Sequence, residues 1–121
     1  MSVAPRRLDP CPGTPNCVCS QDADARHAIA PLRIDAPADQ AWASVRAIVS
    51  GWPRTTIVRE EPGFLHAEVR SLLFRFVDDV HLLLDEDAGC IHVRSASRVG
   101  RSDLGVNRRR VEALRAAISR G

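Results

Sequence analysis

The segment from Phe74 to Arg98, FRFVDDVHLLLDEDAGCIHVRSASR, constrains the fold more than any other. Two runs of alternating apolar and polar residues flank Glu86-Asp87-Ala88-Gly89, the pattern of an antiparallel hairpin. The strands are expected over Phe74–Asp85 and Cys90–Arg98. With Glu86–Gly89 as the loop, Asp85 faces Cys90, Leu82 faces Val93, Val80 faces Ser95 and Asp78 faces Ser97. Alternation then groups Phe76, Asp78, Val80, Leu82 and Leu84 with Ile91, Val93, Ser95 and Ser97 on one face. That face is the more apolar, so it should meet the rest of the core. The opposite face carries Arg75, Asp79 and His81 beside Arg94 and Arg98. An ion pair between Asp79 and Arg98 or Arg94 is the natural cross-strand contact there.

The remaining elements fit around this hairpin. Thr55–Glu60 is rich in β-branched residues, and Phe64–Arg70 alternates after the turn Glu61-Pro62-Gly63. His27–Ile34 reads as a first strand, on an edge or at a bulge because of Pro31. Asp35 is expected to cap a helix whose apolar stripe is Ala41, Trp42, Val45, Ile48 and Val49. A last helix is expected over Leu104–Ser119, capped by Asp103 or Ser102, with Val111, Leu114 and Ile118 facing the core and Asn107 at its start. The order is β-α-β-β-β-β-α. Both helices must bury their stripes, so the reading is an α+β two-layer sandwich, an antiparallel sheet with two helices on one face. The order matches TATA-binding-protein-like and compact helix-grip folds. Residues 27–121 are read as this single domain, and residues 1–26, with four prolines, as an irregular arm.

Charge points to the end of the chain. Residues 94–121 hold eight arginines against two acids, whereas the rest holds nine arginines against thirteen acids. All basic residues other than histidine are arginine, so any cationic site is a guanidinium, suited to bidentate contact with carboxylate or phosphate. Asp78, Asp79, Arg94, Ser95, Ser97, Arg98 and Arg101 are expected to converge, either as a polar site or as an internal network. The turn Val99–Gly105 enters a helix whose first N–H groups suit an anion, with Arg98, Arg101 and Arg108 flanking it and Asp103 competing. The expected partner is a small anionic ligand or a protein, with Arg98 and Arg101 in contact and the aspartates and serines orienting them. Five aromatic residues are too few for a nucleic-acid stacking surface. There is neither a phosphate-binding glycine motif nor an apolar run long enough to span a membrane, and the N-terminus has no signal-peptide core. A cytoplasmic, non-enzymatic domain is the expectation.

Cys11, Cys17 and Cys19 are spaced C-x5-C-x-C within CPGTPNCVCSQ, which is no zinc-ribbon pattern. Three readings are open. The thiolates, with His27, bind zinc or copper or do redox chemistry; Cys11 and Cys17 form a small disulfide; or all three are reduced thiols holding the arm to the body. Cys90 reads as a small hydrophobe. His66, His81 and His92 read as solvated strand positions.

CPGTPNCVCSQ, the helix around Ala41–Trp42, FRFVDDV and RSASRVGRSDLGVNRRRVE together resemble domain-of-unknown-function family 1499 over nearly the whole chain. The family pairs a PNCV segment with an arginine- and serine-rich end. It more usually shows Ser at the position of Cys19, so a three-thiol site would be peculiar to this chain. The resemblance implies no established activity. It implies that Asn16, Cys17 and the Arg94–Asn107 segment form one site.

Overall fold

A computed structural model describes residues 4–72, 76–100 and 103–120. Its elements are β1 (Cys17–Cys19), β2 (Leu32–Arg33), α1 (Ala38–Ser50), β3 (Thr55–Glu61), β4 (Phe64–Arg70), β5 (Val77–Asp85), β6 (Cys90–Ser97) and α2 (Val106–Arg120). The fold is α+β. Among the described residues six strands form one sheet in the order β1-β6-β5-β4-β3, with β2 also pairing β6; these pairs are antiparallel, and an isolated parallel bridge joins Cys19 to Ala28.

The central hairpin has the expected register: Asp85 lies opposite Cys90, Leu82 opposite Val93, Val80 opposite Ser95 and Asp78 opposite Ser97. Its loop explains why. The Asp85 carboxylate accepts the Ala88 N–H at 3.0 Å, and Gly89 takes φ 67°, a value L side chains resist. Alternation then places Leu82, Ile91 and Val93 against Val45 and Val49 of α1 and Val111 and Leu114 of α2, in one cluster with Leu65 and Ala67 of β4. Each such Val, Leu or Ile side chain contributes roughly 1.5–3 kcal/mol by leaving water.

Several boundaries differ from the sequence reading. The strand expected over His27–Ile34 shrinks to Leu32–Arg33. Pro31 has no N–H for a ladder, and the Ala30 and Pro31 carbonyls accept hydrogen bonds from Arg115 instead. The arm is not irregular throughout, because Cys17–Cys19 pairs with the edge of β6 at Arg94–Ala96. Helix α1 begins after Pro37 without a side-chain cap, so Asp35 does not cap it. Helix α2 starts two residues later than expected, since Leu104 and Gly105 both have positive φ, 54° and 79°. Asp103 still serves that end, accepting N–H bonds from Gly105 and Asn107. Phe74 and Arg75, expected in β5, and Ser102 lie outside the described residues.

A second, smaller apolar cluster sits on the face turned away from the helices. Leu8 of the arm is buried there with Cys19, Phe64 and Leu83, and Ala4 and Cys11 pack against them. The arm therefore crosses the back of the sheet as a partial third layer.

Candidate functional site

Asp78 and Asp79 are neighbours in β5, and the pleat sends them to opposite faces. On the helix side the centre is Asn107, fully buried in the first turn of α2. Its side-chain N–H group donates to Ser97 Oγ at 2.9 Å, Asp103 Oδ2 at 2.7 Å and the Asn16 carbonyl at 3.2 Å. Its carbonyl oxygen accepts from Ser95 Oγ at 2.6 Å and Arg110 Nη1 at 2.7 Å. Arg110 then pairs with Asp78 at 2.9 Å. Asn16, also buried, donates to the Gly100 carbonyl at 2.8 Å and accepts the Ser97 N–H on its own carbonyl. Arm, sheet and helix are thus joined through one amide. Burial pushes the Asp103 carboxyl up, but the bonds from Asn107 and Gly105 outweigh it and hold the group below its usual range.

The opposite face is ionic. Arg98 forks onto Asp79 with Nε at 2.7 Å and Nη2 at 2.9 Å, and Nη2 also meets Glu68 at 2.6 Å. His66 lies 2.6 Å from the same Asp79 and stacks on His81, with ring centroids 4.2 Å apart. Burial raises the Asp79 pKa, but the bonds from Arg98 and His66 prevail and bring it to about 2. Burial, then the nearby His66 and Arg94, lowers the His81 pKa to about 4, so this imidazole stays neutral. Arg94 reaches the Pro10 carbonyl at 3.4 Å, while its buried Nε has no partner among the described residues.

The site residues expected from sequence therefore separate. Asn16, Asp78, Ser95, Ser97 and Asn107 come together on the helix side, whereas Asp79, Arg94 and Arg98 lie on the other. Cys17 sits in β1 opposite Ala96. Arg98 was expected to contact an anion; it is instead engaged by two carboxylates. The helix N-terminus expected to hold an anion is filled by the Asp103 carboxylate. Of the arginine run, Arg110 is half-buried in an ion pair, and Arg108 and Arg109 are exposed, donating to the carbonyls of Ala28 and Leu104. Arg101 lies outside the described residues.

The three-thiolate reading is corrected by covalent chemistry. Cys11 and Cys17 form a disulfide, with Cα atoms 5.7 Å apart. Cys19 is a buried free thiol whose pKa is pushed up chiefly by burial. His27, the expected fourth ligand, is buried with Nδ1 3.0 Å from the Cys17 carbonyl.

A family model described as protein of unknown function (DUF1499) matches residues 7–118. The chain belongs to that family. The DUF1499 match runs through both networks, from the arm that carries Asn16 to the helix that carries Asn107. No match was found among curated proteins or among solved structures. Among the described residues no helix is long and apolar enough to cross a membrane.

One constellation was missed from sequence. Asp85, Cys90 and His92 present their ligand atoms within 4.8 Å of one another at the end of the central hairpin. His92 Nε2 lies 3.2 Å from Asp85 Oδ2 and 3.8 Å from Cys90 Sγ, and Nδ1 lies 3.2 Å from Ser20 Oγ. His66 and His81, stacked on each other, and His92, beside Asp85 and Cys90, are half-buried rather than solvated. The signal was present in the register, since Asp85 opposite Cys90 and His92 two residues on share a face. Asp85 and His92 also line a cleft of about 540 Å³ with Arg6, Gln21, Glu86 and Asp87.

Proposed function

We propose that this DUF1499 domain is a binding module, not a catalyst, and that it docks an acidic protein segment on the turn before α2. The observation that carries this reading is an apolar surface where the chain is most basic. Val99, Leu104 and Val106 are 53%, 82% and 39% exposed. Exposed apolar side chains close in sequence to unpaired positive charge suit a contact surface. Leu104 is also held at φ 54°, a backbone state that costs a non-glycine residue roughly 1–2 kcal/mol. Arg108 and Arg109 border the patch, and the carbonyls that hold them orient their charge without neutralising it. The acidic groups Asp78, Asp79 and Asp103 are engaged by Arg110, by Arg98 and by the Asn107 N–H, so they do not offset this rim.

A protein segment suits the patch better than a small free anion. The two features that favoured an anion, Arg98 and the free N–H groups of α2, are already engaged by Asp79, Glu68 and Asp103. The test is an amide-resolved NMR titration with a short peptide of alternating Glu and Leu. Shifts should concentrate at residues 99–109 and disappear in Leu104→Ser and in Arg108→Glu. Inorganic phosphate alone should produce none. Equal shifts in the variants, or a full response to phosphate, overturns the reading.

A further inference from the structure

We propose that Asp85, Cys90 and His92 form a zinc-binding site at the tip of the central hairpin, separate from the docking turn. The three residue types supply a carboxylate, a thiolate and an imidazole, a donor set that zinc accepts. Their spacing also fits. A tetrahedral zinc with bonds of about 2.0–2.3 Å has ligand–ligand edges of roughly 3.3–3.6 Å. The observed separations are 3.2 Å for Nε2 to Oδ2 and 3.8 Å for Sγ to Nε2, and the third edge lies within 4.8 Å, so the thiol closes the triangle by moving toward Oδ2.

The surroundings hold each donor in place. Asp85 Oδ1 is fixed by the Ala88 N–H, which leaves Oδ2 to face His92. Ser20 Oγ accepts the Val93 N–H at 2.9 Å and lies against His92 Nδ1. With Nε2 on a metal, Nδ1 carries the proton and donates it to Ser20 Oγ, the outer contact that orients metal-binding imidazoles. Cys90 is buried, whereas the Asp85 side chain is partly exposed to the 540 Å³ cleft. The cleft leaves the fourth metal position open to water or a further donor. Asp85, Glu86 and Asp87 on its wall outnumber Arg6 and make it favourable to a cation.

Two comparisons sharpen the assignment. A thiol nucleophile would need the thiol on one imidazole nitrogen and the carboxylate on the other. Here both converge on Nε2, and the far nitrogen meets a serine. The cluster of His66, Glu68 and Asp79 also brings three donors within 4.8 Å. There, however, the Arg98 guanidinium bonds both carboxylates, so the place of a cation is filled. No arginine pairs with Asp85 among the described contacts.

Cobalt(II) titration of the full chain, without reductant so that the Cys11–Cys17 disulfide is kept, tests this. One equivalent should give a thiolate-to-cobalt charge-transfer band and the strong visible bands of a tetrahedral site, both erased by added zinc. Cys90→Ser should abolish the charge-transfer band. Asp85→Asn, a change at a partly exposed side chain that does not threaten folding, should weaken binding by about tenfold or more. Zinc should raise the melting temperature of the natural chain and leave that of Cys90→Ser unchanged. Absence of the band, its survival in Cys90→Ser, or equal affinity in Asp85→Asn overturns the assignment.

Discussion

Two networks start one residue apart in β5 and follow different physics. The network of Asp78 on the helix side is dominated by neutral donors and acceptors around a fully buried amide. The network of Asp79 on the back of the sheet is built of charges, with the Arg98 side chain 46% exposed. A buried neutral group has no water to fall back on, so each lost partner leaves a full desolvation penalty. An exposed ion pair loses little when broken, because water replaces the partner. The helix-side network is therefore expected to hold the arm, sheet and helix together. The outer network adjusts charge and responds to solution conditions.

The largest effect should come from Asn107→Ala. It strips partners from Ser95, Ser97, Asp103 and Arg110 at once, and a cost on the order of 3 kcal/mol is expected. Urea unfolding should show a lower midpoint with an unchanged slope. A loss under about 1 kcal/mol would collapse the distinction between the two faces.

Arg98→Ala should cost far less, and the difference should shrink as salt is added. Its clearer mark is on Asp79, whose pKa should rise from about 2 toward the ordinary carboxylate range in an NMR titration. A salt-independent loss as large as that of Asn107→Ala would show that the outer network is structural too.

His81→Leu should change least at neutral pH, where the imidazole is already neutral. The difference appears on acidification. The folded-state pKa of about 4 lies below the unfolded value of about 6.5, so the unfolded chain binds the proton more readily between them. The natural chain should therefore lose stability as pH falls from about 6.5 to 4, and His81→Leu should lose less over that window. Asp79, with its depressed pKa, should add a further loss only below about pH 4. Identical stability profiles for the two chains from pH 7 to 4 would remove His81 from the account.

Much of this arrangement was legible before any tertiary structure. The loop Glu86–Gly89 and the alternation around it led to the correct pairing of β5 with β6. The opposite orientation of Asp78 and Asp79 followed, as did a cross-strand ion pair of Asp79 with Arg98 or Arg94, of which the structure forms the one with Arg98. The resemblance implied that Asn16 and the segment ending at Asn107 belong together, but the position of Asn107 at their centre was not legible. Its partners include Asn16, 91 residues away, and no local pattern marks an amide as the meeting point of helix, sheet and arm. Glu68 as the second partner of Arg98 also escaped, since it comes from β4. Strand β1 was missed because three residues flanked by Pro15, Asn16 and Ser20 have no period to read; it forms because β6 offers an unpaired edge.

By itself the sequence determined the α+β class, the two helices and the hairpin register, because side-chain alternation and turn chemistry act over a few residues. The tertiary structure alone decided which cysteines join, which arginines remain at the surface, and that Ser20 of the arm lies against His92. Those outcomes depend on how the arm, sheet and helices pack together, and a guanidinium or thiol has the same local signature whichever partner it finds.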